Sequence, residues 1–569
     1  MDDQTLKKLQ TAVSTSRKDL APYRRQEDEA LKQYLGSHYG DDGSSEPFPV
    51  NMMEIAVTTL LQQLAAKEPQ VLLLSRTEQD TQTVELAINK LLVEMDFGAE
   101  LRQFVMSALF SIGIMKVGID STYSAMIDEE QFFETEVYAQ HIPFADWVHD
   151  TTARKWTPRE VQFSGHMYRV PREWVKTNQS FDEKSRDNLP VSTRTAFDEK
   201  DRTHSKSEFV PYADLWDIWI PSESRMVTFA DGGTSVLSDR QIERGDDYSP
   251  FHLMGFNPVL NRIMPLPPVM NWMDAHDLDN RMFVKLGEQA SRQKTVTFAQ
   301  PQSVDDANRI IKSEDGDTVV VANPQGVREA RFGGPDQQIL GFAGYMREMT
   351  SYVMGNLDSM AGLGAQASTA TQEGIIKNSG NARLQAMQGE VLKSVQHIVR
   401  DVFWWMWNSP LIEMQVTRPI GNTGLSVEAS WPIGFTDEGQ EFDYRDQMSV
   451  DEFEIDIEPY SLQNKPPSVR LMELRQIWQQ DILPLMQAGL VQPDMEKYLR
   501  LLSKYGDWPE LEQIANLVDT NELMGRGRMP ANTTREYIRK NEGSTKTMQG
   551  TERSMIAQAM AMGNPGQEG

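Results

Sequence analysis

The sequence predicts an α+β protein organised around a helical hairpin, and three observations carry that assignment. Two helical runs, 266–293 and 335–354, flank a short segment, 294–334, whose period changes to that of strands. A loop of small residues at 355–370 then leads into one unusually long helix over 371–408. On either side of this block, in 48–265 and 409–465, runs of alternating apolar and polar residues predict strands, preceded by a helical group.

The first helical run follows the start signal Pro265-Leu-Pro-Pro268 and places Val269, Met273, Met282, Phe283, Leu286 and Ala290 on an apolar face. Asp274, Asp277, Asp279, Arg281, Lys285, Glu288 and Arg292 occupy the other positions, so that side should be wet or meet another charged surface. Its length is expected to be roughly 40 Å. From Asp336 onward, Ile339, Phe342, Met346, Met349 and Val353 form a second stripe, which can pair antiparallel with the first. Between the two runs, Thr295-Val-Thr-Phe298 reads as a strand and Val304 to Ile311 as a short helix. Asp317-Thr-Val-Val-Val-Ala322 reads as a second strand, closed by Asn-Pro. A compact module thus sits at the tip of the hairpin.

In the following loop, Gly355, Asn356, Asp358, Ser359, Gly362, Gly364, Gln366 and Ser368 stand among alanines with no periodicity, which predicts a mobile connection. Thr369-Ala-Thr-Gln372 has capping-box spacing. Ile376, Leu384, Met387, Val391, Val395, Ile398, Val402 and Met406 then carry an apolar stripe into Phe403-Trp404-Trp405-Met-Trp407, about ten turns of helix.

Before the hairpin, residues 1–47 read as a peripheral helical arm and a polar linker. Helices are expected from Asn51 to Ala66, Thr77 to Met95 and Leu101 to Ile112. Strands are expected at Lys116 to Ile119, Gln131 to Tyr138 and Val161 to Tyr168, and a short helix from Pro171. The polar span from Asn178 to Ser207 reads as an exposed excursion. Tyr212 to Pro221 and Arg225 to Phe229 read as paired strands meeting at a Pro-Ser-Glu-Ser turn. After the long helix, Leu425 to Trp431 and Phe453 to Ile457 alternate as strands. Beyond Pro466-Pro467 lie a helical region, 466–530, and a polar tail, 531–569.

With 569 residues, 39% of them hydrophobic, and a mean hydropathy of −0.51, the chain reads as a soluble globular protein with several cores. It has no cysteine, which excludes disulfides and thiolate metal sites and suits a reducing cytoplasm. Met1-Asp-Asp-Gln4 lacks the features of a signal peptide, and no window reaches the apolar length of a membrane span, so neither export nor a membrane partner is expected. A net charge of −27 argues against tight, salt-sensitive binding of nucleic acid, which is driven by lysine and arginine releasing counterions from phosphate. It equally describes an acidic surface that only keeps the protein soluble.

No constellation in the sequence assigns a catalytic residue, a cofactor or a metal. Glu454, Asp456 and Glu458 alternate with Phe453, Ile455 and Ile457 and read as the wet face of a strand; the alternative is a magnesium-dependent nuclease using this acidic row. His141 and His149 lack metal-ligand spacing and are expected to be structural. Ala361-Gly-Leu-Gly-Ala365 lacks the lysine of a phosphate-binding loop, so ATP hydrolysis is not expected. Trp404, Trp405 and Trp407 read as core or subunit interface in preference to a base-stacking platform. Arg281, Lys285, Arg292 and Lys294 read as exposed helix charges paired with Asp277, Glu288 or a neighbouring subunit. Phosphate contact is their other reading, if the helix lines a channel.

Helix, tip module, helix, small-residue loop and long helix, in that order, resemble the stem, clip, stem, tunnel loop and wing-spanning helix of portal proteins of tailed bacteriophages. Asn51-Met-Met-Glu-Ile-Ala-Val57 with Lys67-Glu-Pro69, and Ala108-Leu-Phe-Ser-Ile-Gly113, look like that family's early helices. The resemblance covers the chain to about residue 460, in architecture more than in motif. It implies a portal-like ring subunit with a mixed wing (48–265 and 409–465), a two-helix stem, a small α/β clip (294–334), a tunnel loop (355–370), a long wing-spanning helix and a helical crown (466–530). It further implies a non-enzymatic homo-oligomer, a ring of twelve subunits at one capsid vertex of the virion, assembled in the host cytoplasm. Double-stranded DNA would pass through it in packaging and ejection, and terminase, tail adaptor, major capsid protein and scaffold would be its partners. On this resemblance Arg309, Lys312, Arg328 and Arg331 meet motor and adaptor, and the small-residue loop touches the DNA. The acidic wall then lets phosphates slide.

Overall fold

The computed structural model describes residues 2–75, 81–127, 130–187, 189–190, 211–245, 247–314, 316–355, 370–419, 426–435, 441–457 and 475–484. The chain divides into two compact units, Met1–Asn464 and Lys465–Gly569. In the second, residues 475–484 are helical and include a π-helical turn at Trp478–Ile482. The remainder of the expected crown and tail lies outside the described residues.

The first unit is mixed α+β. It opens with α1 (Asp3–Leu35), α2 (Met52–Leu64), β1 (Val71–Ser75), α3 (Gln82–Glu94) and α4 (Phe97–Phe110). A long hairpin follows, β2 (Gly113–Ile127) with β3 (Glu130–His141), then β4 (Trp147–His149), β5 (Ser164–Pro171), α5 (Arg172–Thr177) and α6 (Glu183–Asp187). β6 (Tyr212–Ile220), β7 (Arg225–Ala230), β8 (Val236–Gln241) and β9 (Phe251–Met254) lead to the helical hairpin. That block comprises α7 (Met270–Ser291), β10 (Lys294–Ala299), α8 (Val304–Lys312), β11 (Val327–Phe332) and α9 (Gln337–Val353). The long helix α10 (Ala370–Asn408) and strands β12 (Met414–Pro419), β13 (Ser426–Trp431), β14 (Ile433–Phe435), β15 (Glu441–Asp443) and β16 (Phe453–Ile457) complete it.

The largest sheet is an antiparallel meander of five strands, β4-β5-β6-β7-β8; a second has the order β3-β2-β9. The strands expected at 212–221 and 225–229 do pair, in β6 and β7, with Trp219 opposite Met226. The run expected at Val161 begins instead at Ser164 and continues to Pro171. Gly165 explains one close approach: a Cβ there would sit 2.2 Å from the Asp217 carbonyl of β6.

Two expectations are corrected and one strand is added. The N-terminal arm is not peripheral, because the 33-residue helix α1 sends Leu6, Leu9 and Val13 into one apolar cluster, Leu20 into a second and Ala30 into a third. The spacing of Leu6, Leu9, Val13 and Leu20, three, four and seven apart, is that of a helical stripe, and the intervening charges obscured its continuity. Val71–Ser75, between two expected helices and with no expectation of its own, is a strand whose partner is β16, with Leu73 opposite Ile455. The helix expected from Thr77 begins at Gln82, and 76–80 lie outside the described residues.

The main core gathers α2, α3, α4, the start of β2 and the last half of α10. Val391, Val395, Ile398, Val402 and Met406, spaced three, four or seven apart, are all fully buried there, so the stripe read in the sequence is the face that packs. Phe403 and Trp407 close it against Trp431 and Phe453, with Trp407 and Trp431 ring centroids 5.0 Å apart. Helix α2 starts at Asn51, whose side-chain oxygen accepts the Glu54 N–H at 3.1 Å while its amide donates to the Tyr34 carbonyl at 2.7 Å. Asn51→Ala is expected to cost about 1 kcal/mol in chemical unfolding, and Asn51→Asp less, since aspartate keeps the cap.

Candidate functional site

The hairpin is the part of the chain least explained by its own packing. Its first leg, α7, has 22 residues, about 33 Å, shorter than expected. Its buried residues are Trp272, His276, Asp279, Asn280 and Leu286. Asp279, expected on the wet side, is therefore inside, whereas Met282 and Phe283 are half-buried and Ala290 is exposed. The reason is that α7 packs on two sides. One faces α9; the other meets the N-terminal linker, where the Phe48 ring lies 5.0 Å from His276 and the Val50 N–H donates to Asn280 Oδ1 at 3.1 Å.

The second leg, α9, begins at Asp336, whose carboxylate caps the Gln338 N–H at 2.9 Å. It ends at Gly355, where a φ of 95° favours glycine. Its buried residues are Ala343, Thr350 and Ser351, not the stripe expected from its sequence. Ile339, Met346 and Met349 are half-buried, while Leu340, Phe342, Tyr345, Tyr352 and Val353 are exposed. Neither Asp279 Oδ1 nor Thr350 Oγ1 has a hydrogen-bond partner among the described residues. Burial pushes the Asp279 carboxyl up, opposed by the charge of Arg347.

At the tip, β10 is a strand as expected, but its partner is β11 and not the segment 317–322. The ladder sets Lys294 opposite Phe332, Val296 opposite Ala330 and Phe298 opposite Arg328. The valine-rich segment is held differently: the Ala322 and Asn323 N–H groups donate to Asp306 Oδ2 at 2.9 and 3.3 Å, and Val320 stays 81% exposed. A carboxylate on α8 therefore takes amides that a ladder would otherwise use. From 294 to 334 the buried described residues are Ser303, Asp306, Ala307 and Gly326 alone. Val296, Phe298, Ile311, Val320 and Phe332 face out, Phe298 and Phe332 in edge contact at 5.8 Å. A two-stranded ribbon with so small a core is marginal without a further partner.

The cations read from the sequence are placed as follows. Arg281 pairs with Asp277 at 3.0 Å and reaches Glu46 at 3.9 Å; Arg292 pairs with Glu288 at 3.8 Å. Lys285 lines a shallow cavity of about 290 Å³ whose other charged residues are Glu46, Asp277, Glu288 and Arg281, so carboxylates outnumber the second cation there. Lys294 and Arg328 share the apolar face of the ribbon, whereas Arg331 lies on the other and pairs with Glu329 at 3.6 Å. Arg309 and Lys312 are exposed in the last turn of α8. Thus the expected i, i+4 pairing holds for Arg281 and Arg292, and all eight belong to one hairpin without converging on a single point. Asn356, Asp358, Ser359, Gly362, Gly364, Gln366 and Ser368 lie outside the described residues.

Glu454 and Asp456 point to solvent opposite Leu74 and Leu72, as the wet face of β16; Glu458 lies outside the described residues. Among the described residues no three histidine or carboxylate side chains gather as a metal set, and no helix is long and apolar enough to cross a membrane. His149 is buried, its Nδ1 accepting the Trp147 indole N–H at 3.1 Å, and His141 Nε2 lies 2.8 Å from Ser107 Oγ.

Two charged nodes escaped the sequence reading. Asp401 of α10 is gripped by Arg244 at 2.6 Å and by His252 of β9 at 3.0 Å, while the Arg244 guanidinium lies 4.7 Å from both the Tyr248 and Trp404 rings. Lys116 of β2 lies 2.7 Å from Asp217 of β6, both buried. Their signal was a single charge within an apolar strand run, Ile-Met-Lys-Val and Leu-Trp-Asp-Ile-Trp. No protein-family model matches the chain, and no curated protein matches it.

Proposed function

We propose that this chain is the subunit of a ring-shaped channel of the portal type, standing at one capsid vertex of a tailed bacteriophage. Double-stranded DNA passes through it during packaging and ejection, and the ring docks terminase and tail adaptor as well as the major capsid protein and scaffold. The observation that carries the reading is the hairpin. Two antiparallel helices expose a stripe of large apolar side chains and hold out a module with almost no core of its own, and a 39-residue helix follows them in the chain. Surfaces of this kind are covered when copies stand side by side, and a heterologous contact that closes on itself makes a ring. Twelve copies is the number the family resemblance suggests.

In that ring Arg281, Lys285, Arg292 and Lys294 are the cations that meet phosphate transiently. Their acidic neighbours and the net charge of −27 keep the contact weak. Arg309, Lys312, Arg328 and Arg331 are carried at the far end, where motor and adaptor bind. The loop residues Gly355, Asn356, Asp358, Ser359, Gly362, Gly364, Gln366 and Ser368 are those that approach the DNA.

Native mass spectrometry and electron microscopy of the purified protein test the reading directly. Closed rings with an axial hole are expected, and replacing Phe342 and Tyr345 together by lysine should shift the population toward monomer. A protein that remains monomeric across concentrations overturns it.

A further inference from the structure

We propose that the distal part of the helical hairpin is a hinge on which the tip module turns, formed by Gly287 on α7 and by Gly341 and Gly344 on α9. All three lie inside helices, where glycine costs about 0.5–1 kcal/mol relative to alanine. None has the positive φ that would require glycine. All are exposed, and a Cβ built on any of them meets nothing within 4 Å, so no close packing among the described residues demands their small size. What remains is their effect on the helix itself: more backbone freedom and less shielded hydrogen bonds, in the distal half of both legs.

The packing around them has the same gradient. The half of the hairpin next to the body buries Trp272, His276, Asp279 and Asn280 on one leg and Thr350, Ser351 and Met354 at the end of the other. It is also tied to the linker through Phe48 and Val50. In the distal half, 282–291 and 337–346, Leu286 and Ala343 are the buried residues. Each is followed in sequence by a hinge glycine. Local opening takes place where buried contacts are few and backbone hydrogen bonds are exposed, and these glycines stand there. The joint allows the ribbon face of Val296, Phe298 and Phe332 to be re-aimed without disturbing the body. This inference is independent of the ring reading, since it concerns one subunit.

Because the chain has no cysteine, two can be introduced without removing any: Asp274→Cys on the body side of the hinge and Glu314→Cys in the tip. Spin labels at these sites, in full-length protein diluted into unlabelled chain, report the distance distribution within one subunit. A broad distribution is expected, narrowing in Gly287→Ala/Gly341→Ala/Gly344→Ala. Amide exchange across 282–291 and 337–346 should slow by about five-fold per glycine replaced. Gly287→Ala alone provides the same comparison if the triple variant folds poorly. An equally broad distribution with unchanged exchange would falsify the hinge. So would a triple variant that changes oligomeric state without narrowing, because the glycines would then serve the close approach of another chain.

Discussion

Lys116→Met is expected to lower stability by about 3–5 kcal/mol, a large part of what a domain of this kind has in reserve. The Lys116 ammonium is the counter-charge of Asp217, and the pair joins the three-stranded sheet to the five-stranded one. Asp217 also accepts the Thr228 hydroxyl at 2.6 Å and lies 3.4 Å from the Tyr168 hydroxyl. Burial alone would raise its carboxyl. The Lys116 charge, a smaller contribution from His166, and hydrogen bonds from Lys116 and Thr228 overcome that and hold it at about 2. With methionine at 116, a carboxylate stays in the interior with no cation. Urea midpoints of the wild type, Lys116→Met and Lys116→Met/Asp217→Leu check this. The double variant should recover most of the loss, because an apolar pair of similar volume leaves no charge to desolvate. A single variant as stable as the double would mean that Asp217 is not confined as described.

Acid should weaken the fold through its buried histidines, opposed in part by Glu27, whose carboxyl burial raises to about 7. Burial lowers His141, His149 and His276 to about 4 and His166 to about 3, the last helped by the Lys116 charge. An unfolded chain takes up these protons near 6.5, whereas the folded one resists them. The stabilisation is therefore complete above pH 6.5 and is lost as pH falls toward 4. The loss from the histidines alone is on the order of 5 kcal/mol, set mainly by the fully buried His149 and His166, and protonation of Glu27 below about 7 returns part of it. Asp217 adds a separate loss at lower pH: its contribution is present above its ordinary 3.8 and disappears as pH falls to about 2. Unfolding followed at pH 7.5, 6, 5 and 4 should show the fall in the first window; a flat profile there would sink the idea.

The sequence was legible wherever a periodic face and the packed face coincide. Val391 to Met406 in α10, the pair β6 and β7, and the alternation of β16 were all readable because one partner covers one side. Legibility failed where an element has two partners or a side-chain competitor. The polar side of α7 looked wet, yet Asp279 and Asn280 are covered by α9 and by the linker around Val50. The run of valines before Asn323 looked like a strand, yet the Asp306 carboxylate takes its last amides. β1 was missed because Val71-Leu-Leu-Leu74 lies close after a helix and its partner is far along the chain. Of the candidate site, the hairpin and its exposed cations could be read directly. The smallness of the tip core could not, since exposure of Phe298 or Ile311 is decided by what is not folded against them.

The pairing of β1 with β16 also bears on how the chain is made. Val71–Ser75 leaves the ribosome early, but its partner Phe453–Ile457 follows roughly 380 residues later, a delay of about 20–75 s at ordinary rates of synthesis. During that interval Leu73 has no strand opposite it, and Leu72 and Leu74, outward-facing even in the finished protein, lie on an unpaired edge. The main core also waits for α10. A nascent chain stopped anywhere before residue 453 thus presents an open apolar edge to its neighbours, and the emergence of Phe453–Ile457 is the step that closes it.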